Sequence, residues 1–139
     1  NCWMLLVNDL CKQAVQRKKL ILTSDGVQLR DFISLQEVCR VIGKITVTNE
    51  KFRANQIFNL GSGTSKSVLE MAMLVQARSG KVLGSVPELS SLRVGNSKAT
   101  APLSYSVKNL SALNITVRDS SMESEVDDLL RFCSINFTH

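Results

Sequence analysis

Residues 23–38, Thr-Ser-Asp-Gly-Val-Gln-Leu-Arg-Asp-Phe-Ile-Ser-Leu-Gln-Glu-Val, force a reversal, an extension and a coil within one short stretch. Asp25-Gly26 signals a turn, because Gly adopts positive φ without a Cβ penalty. A short strand is expected around Phe32 and Ile33. Ser34 with Glu37 three residues on has the pattern of a capping box, in which the Ser oxygen and Glu carboxylate satisfy amides left unpaired at a helix start. Arg30, a planar cation with five donors, stands between turn and helix beside an apolar strand, where it could grip a phosphate.

The remaining chain alternates in the same way. Trp3, Leu6, Val7, Leu10, Cys11 and Ala14 recur at helical spacing, with Lys12, Gln13, Gln16 and Arg17 on the opposite face. Leu20-Ile21-Leu22 is a short strand, and the helix after Ser34 places Leu35, Val38, Cys39, Ile42 and Ile45 on one stripe. Gln56 to Leu60 has the composition of a buried strand. A tight turn from Gly61 to Lys66 leads to a helix capped by Ser67 with Glu70, apolar on more than one side and so expected between other elements. Gly80 is expected to end it, with a strand over Val82–Val86 stopped by Pro87 and a loop from Glu88 to Ser104. Val107, Leu110 and Leu113 mark a short helix ending at a left-handed Asn114. The final helix carries Met122, Val126, Leu129, Leu130 and Cys133 on one stripe, capped by Ser120 or Ser121, with Asp127 and Arg131 as an i,i+4 pair. Strands interleaved with helices predict an α/β fold.

A chain of 139 residues holds one domain with a real core, taken here as a single region over 1–139. The longest apolar run, Cys2 to Val7, is far too short to cross a bilayer, so no membrane role is expected. No signal peptide is readable, and because the chain opens on Asn1 instead of Met the natural start is expected upstream. Cys2, Cys11, Cys39 and Cys133 show no Cys-x-x-Cys spacing, and three of them fall on apolar stripes. Reduced, buried thiols in a cytoplasmic protein are the expectation. The only His is His139, which excludes a His-based triad or a His-containing zinc site. Seventeen basic against twelve acidic residues give +5, scattered except for Arg17-Lys18-Lys19. The balance itself fits a small anionic ligand as well as it fits nucleic acid; without a basic helix or an RNA-binding aromatic motif, no nucleic-acid partner is expected. Asn109, Asn114 and Asn136 open Asn-x-Ser/Thr triplets that are short enough to arise by chance.

Gly61 to Ser67 fails as a phosphate loop. A Walker loop ending at Lys66-Ser67 needs Gly at Leu60 and at Ser65, and a dinucleotide fingerprint starting at Gly61 needs Gly at Lys66. Other segments carry a resemblance instead. Asp25-Gly26, Arg30-Asp31-Phe32-Ile33 and Leu35-Gln36-Glu37-Val38 resemble a block in the C-terminal half of NAD-dependent nucleotide-sugar epimerases and dehydratases, the extended short-chain dehydrogenase/reductase family. Phe58-Asn59-Leu60-Gly61-Ser62-Gly63 followed by Ser67-Val68-Leu69-Glu70 is similar to a second block of that family, in the same order. Arg93-Val94-Gly95-Asn96 is similar to a third, with Asn96 where the family has Asp. Val107-Lys108 to Leu113-Asn114-Ile115 is similar to a fourth.

The resemblance implies the C-terminal, substrate-binding part of such an enzyme, without its Rossmann half. It implies that Arg30 and Arg93 clamp a nucleotide diphosphate, that Asn96 stands at the ribose contact, and that Leu22 and Thr23 lie against the base. Asp31 is expected to be a structural acceptor. The complete protein would take NAD or NADP and a nucleotide-diphosphate sugar, and the resemblance admits a homodimer. The chain itself lacks the chemistry. The family's catalytic Tyr-x-x-x-Lys pair has no counterpart, because the single tyrosine, Tyr105, is followed at the fourth position by Asn109. Catalysis by this chain alone is not expected, and the alternative is a non-enzymatic nucleotide- or partner-binding module derived from that family.

Overall fold

The computed structural model describes residues 2–47, 57–92, 106–118 and 122–138. Three helices form the body: α1 (Leu6–Arg17), α3 (Val68–Leu83) and α5 (Met122–Asn136) each pack against the other two, and α3 is not enclosed as its sequence suggests, since Leu69 and Met73 are exposed. Two strands lie beside them, β1 (Lys19–Leu22) and β4 (Glu88–Ser91), paired in parallel with Leu20 opposite Leu89 and Leu22 opposite Ser91. Their shared core is Leu10, Cys11, Ala14, Leu20, Leu22, Ala72, Val75, Val126, Leu130 and Cys133. Burial pushes the Cys133 thiol up to about 11 and raises that of Cys11 further, so both behave as small apolar groups. A 3-10 turn at Cys2–Met4 is pinned to the end of α5 by Trp3, stacked on Phe132 and edge-on to Phe137.

A second layer is tied together by polar groups as much as by apolar ones. β2 (Leu29–Asp31) pairs antiparallel with β3 (Ser65–Ser67), and α2 (Leu35–Val47) follows β2. Val41 of α2 packs with Leu110 of the short helix α4 (Lys108–Ser111) and with Ile115, flanked by Phe58 and Leu60. Ser34 accepts from the Glu37 amide at 3.2 Å, which is one arm of the expected capping box. The Glu37 carboxylate instead takes Arg40 Nε and Nη2 and the Arg118 amide, while Arg40 also donates to the Thr116 carbonyl. That cluster fastens residues 115–118 to α2. At α3 both arms of the box form, Ser67 Oγ with the Glu70 amide and Glu70 with the Ser67 amide.

Several boundaries differ from the sequence expectation for identifiable reasons. The strand expected at Phe32 and Ile33 lies earlier, at Leu29–Asp31, because the Asp31 side chain turns to the Ser62 and Gly63 amides and ends the ladder. Residues 57–60 form no regular strand. Phe58 and Leu60 point inward while Ile57 is 77% exposed, and the Asn109 and Asn59 amides bond the Ile57 and Ser106 carbonyls in place of a ladder. α3 runs through Gly80 to a left-handed Gly84, and so absorbs Val82 and Leu83. Gly80 is there for closeness: a Cβ would stand 2.9 Å from Val86 Cγ2. The strand then falls after Pro87, not before it, within the expected loop. The stripe expected on α2 is also displaced. Glu37 and Val41 are buried, whereas Leu35 (65%), Ile42 (51%) and Cys39 are exposed. On α1, Gln13 is buried instead of solvent-facing. The short helix and the left-handed Asn114 (φ 55°) match expectation.

Asp127 does not pair with Arg131, whose partner is Asp128 at 2.8 Å. It reaches across to α3, where Arg78 Nε donates to Oδ1 at 2.6 Å and Nη2 to Oδ2, with Glu123 accepting from Nη1 at 2.8 Å. The hydrogen bonds from Arg78 hold the Asp127 carboxyl below its usual range, and those from Arg40 do the same for Glu37. A carboxyl with a lowered folded-state pKa contributes stability that is complete above its unfolded value and lost as pH falls through the folded one. Urea midpoints are therefore expected to be flat above about pH 5 and to fall steeply below about pH 4. Asp127→Asn is expected to lower the midpoint at pH 7 and to flatten that acid limb. An acid limb unchanged by Asp127→Asn would remove the pair from the pH response.

Candidate functional site

A cavity of about 360 Å³ opens where β1 ends. The first turns of α1 supply Leu6, Asp9 and Leu10, and β1 with the turn after it supplies Ile21, Leu22, Thr23 and Ser24. Gln28, Arg30 of β2 and Val68 at the start of α3 complete it. The volume lies in the range of small-molecule sites, and carboxyl ends of parallel strands are where α/β folds place ligands.

The turn that builds this wall depends on Gly26, with φ 78° and room for no side chain: a Cβ would stand 2.9 Å from Leu69 Cβ. The Gly26 and Gln28 carbonyls accept from the Leu69 and Val68 amides at 2.9 Å, which locks the turn to the α3 N-terminus. Ser24 Oγ donates to Gln28 Oε1 at 2.9 Å, and Ser91 Oγ donates to the Ser24 carbonyl at 2.6 Å. The walls are thus held by backbone contacts and short polar ties.

Three of the five expected binding residues meet here. Leu22 is buried at the cavity floor, Thr23 is exposed at its edge, and Arg30 is exposed with Nη1 donating to its neighbour's carbonyl, Leu29 O, at 3.0 Å. Among the described residues Arg30 has no carboxylate partner, so its remaining donors face no fixed anion. Arg93 and Asn96 lie outside the described residues, as does Tyr105. The described chain stops at Leu92, whose amide donates to the Leu22 carbonyl at 2.9 Å beside the cavity.

Asp31, next to Arg30, faces a different space. It lines a second cavity of about 340 Å³ with Ile33, Phe58, Asn59, Leu60 and Gly61. Its oxygens accept from the Ser62 amide at 2.7 Å and the Gly63 amide at 3.1 Å, the structural role expected of it. The sequence reading missed Asp9, which brings a carboxylate into the first cavity. Its signal was present: Asp9 and Gln13 are a polar i,i+4 pair beside the apolar stripe of α1, and they bond at 2.6 Å.

No family model and no curated protein matches the chain. Solved structures do. A UDP-glucuronic acid 4-epimerase from Bacillus cereus, in complex with NAD, matches 99% of this chain with 42% of its own, at 17% identity and a TM-score of 0.70. A UDP-N-acetylglucosamine 4-epimerase from Methanobrevibacter ruminantium M1, in complex with UDP-N-acetylmuramic acid, matches 95% with 40% of its own, at 15% identity and a TM-score of 0.69. The NAD-dependent NDP-hexosamine 5,6-dehydratase TunA, involved in tunicamycin biosynthesis, matches 92% with 39% of its own, at 22% identity and a TM-score of 0.65. Among the described residues no helix is long and apolar enough to cross a membrane. The chain has the α/β fold of a portion of NAD-dependent nucleotide-sugar epimerases and dehydratases, spanning about 40% of their length.

Proposed function

We propose that the chain is the C-terminal, substrate-side portion of an NAD-dependent nucleotide-sugar epimerase or dehydratase, and that the cavity at the end of β1 takes the nucleoside diphosphate of the substrate. The supporting observation is the convergence of Leu22 and Thr23, at the end of β1, with Arg30 of β2, which line one space. Arg30 supplies a fork of donors that suits phosphate oxygens, and Leu22 supplies an apolar floor for a base. Arg93 and Asn96 join the site in this reading, as the second arm of the diphosphate clamp and the ribose contact. The region acts as one unit over 1–139.

NAD or NADP, the catalytic Tyr/Lys pair and the chemical step belong to the other portion of the complete protein. A homodimer and a cytoplasmic location go with that assignment. The outward apolar face of α2, Leu35, Cys39 and Ile42, supports it, since an isolated helix normally turns such a face inward. The rival, a non-enzymatic binding module, shares the cavity but needs no other portion.

Calorimetric titration with UDP tests the site. Arg30→Ala is expected to weaken binding about tenfold or more, the cost of a charge-assisted hydrogen bond to phosphate. Unchanged affinity would sink the assignment of this cavity.

A further inference from the structure

We propose that Asp9 is a ligand-recognition residue, whose carboxylate accepts hydrogen bonds from the hydroxyl or N–H donors of a nucleoside while Arg30 holds the attached diphosphate. The inference rests on the cavity assignment above and names which end of the ligand lies where.

Asp9 and Arg30 line the same cavity yet form no ion pair with each other, nor with any other described residue. The lining therefore holds one carboxylate and one guanidinium that no ion pair among the described residues engages. An ionised carboxylate only accepts hydrogen bonds, and it repels phosphate. A ligand with a phosphate at one end and donors at the other fits this polarity in one orientation only.

The acceptor is also held in place from behind. Gln13 is buried, and its Oε1 accepts from the Ile21 amide at 2.8 Å. That bond fixes which way the side-chain amide lies, because an N–H must meet an oxygen. Gln13 Nε2 is thereby turned to Asp9 Oδ2, at 2.6 Å. One carboxylate oxygen is used for positioning, and Oδ1 has no hydrogen-bond partner among the described residues. The Ile21 amide that starts this relay belongs to β1, whose end forms the cavity, so the acceptor is registered to the same strand as the apolar floor.

A stabilising role alone is the rival, since Asp9 stands in the first turn of α1 where an acid complements the helix dipole. Ligand selectivity separates the two. The probes are UDP, 2′-deoxy-UDP and inorganic pyrophosphate, titrated into the chain and into its Asp9→Asn and Arg30→Ala variants. Asp9→Asn is expected to weaken UDP about tenfold and to leave pyrophosphate unchanged or tighter, and intact pyrophosphate binding also reports a folded site. Arg30→Ala is expected to weaken both. If Asp9→Asn loses affinity for UDP but not for 2′-deoxy-UDP, the donor is the ribose 2′-hydroxyl; equal losses place it elsewhere on the nucleoside. Equal UDP affinity of Asp9→Asn and the parent chain overturns the role of Asp9, and the cavity assignment survives if Arg30→Ala still weakens UDP. Indifference of UDP to both variants overturns both.

Discussion

Replacing Leu130 by alanine is expected to destabilise the chain by about 3 kcal/mol, the middle of the range for Leu→Ala at fully buried sites. Leu130 has no exposed surface and sits in the cluster that joins α1, α3 and α5 with Leu20 and Leu22 of β1. α1, α3 and α5 each pack against the other two, so none can close onto the vacated space without disturbing its contact with the third. A loss of this size is a large part of the 5–15 kcal/mol typical of a domain, and lowers the thermal midpoint by on the order of 10 °C. Ile135, also on α5 but 78% exposed, supplies the control, with near-neutral replacement by alanine expected. Urea denaturation of both variants checks the pair; equal losses would mean that α5 is not seated as described.

The core behind that prediction was legible in the sequence, and the reason is periodicity. α1 and α5 each bury one stripe, so spacing alone identified Leu10, Cys11, Ala14, Val126, Leu130 and Cys133. α2 defeated the same reasoning. Its helix has the apolar spacing, but the side facing inward is chosen by Glu37 and Arg40, whose partners, the Arg118 amide and the Thr116 carbonyl, are remote in sequence. Local pattern carries no information on such a bond. Gly80 misled for a related reason: as a helix terminator it is a local signal, while its use, admitting Val86, is a tertiary one. The strand expected over Val82–Val86 failed with it, because a helix that runs on to Leu83 leaves no strand-length segment before Pro87, and β4 falls after it.

The candidate site was legible in part. Leu22, Thr23 and Arg30 were named through motif resemblance, and the turn at Gly26 brings them to one wall. Asp9 was not named, because an acid on an amphipathic helix is ordinary until a strand amide and a buried Gln are seen to aim it. Spacing within one helix cannot show what lies across from it.

Asp31→Ala is expected to cost about 2 kcal/mol, since two backbone amides lose a charged acceptor at once. The bonds concerned join the end of β2 to the Gly61–Gly63 turn: Oδ1 to the Ser62 amide at 2.7 Å and Oδ2 to the Gly63 amide at 3.1 Å. Gly61 lets the turn come this close, because a Cβ there would stand 2.8 Å from Asp31 Oδ2. Gly61→Ala attacks the same lock from the other side and is expected to destabilise by a similar amount. The two changes share one contact, so their sum overstates the double variant: with the carboxylate gone, the three atoms nearest the added methyl are removed. A double-mutant cycle by urea denaturation reads that coupling, and strict additivity would show that the turn is held by something else. The lock also bears on function. β2 is three residues long, Arg30 is its middle residue, and its other end is fixed by pairing of Leu29 with Ser67. Releasing Asp31 frees the strand on one side of Arg30, so UDP affinity is expected to fall in Asp31→Ala although Asp31 lines the other cavity. Rescue of that affinity by Asp31→Asn, which keeps one acceptor oxygen, would mark Asp31 as a positioning residue for Arg30.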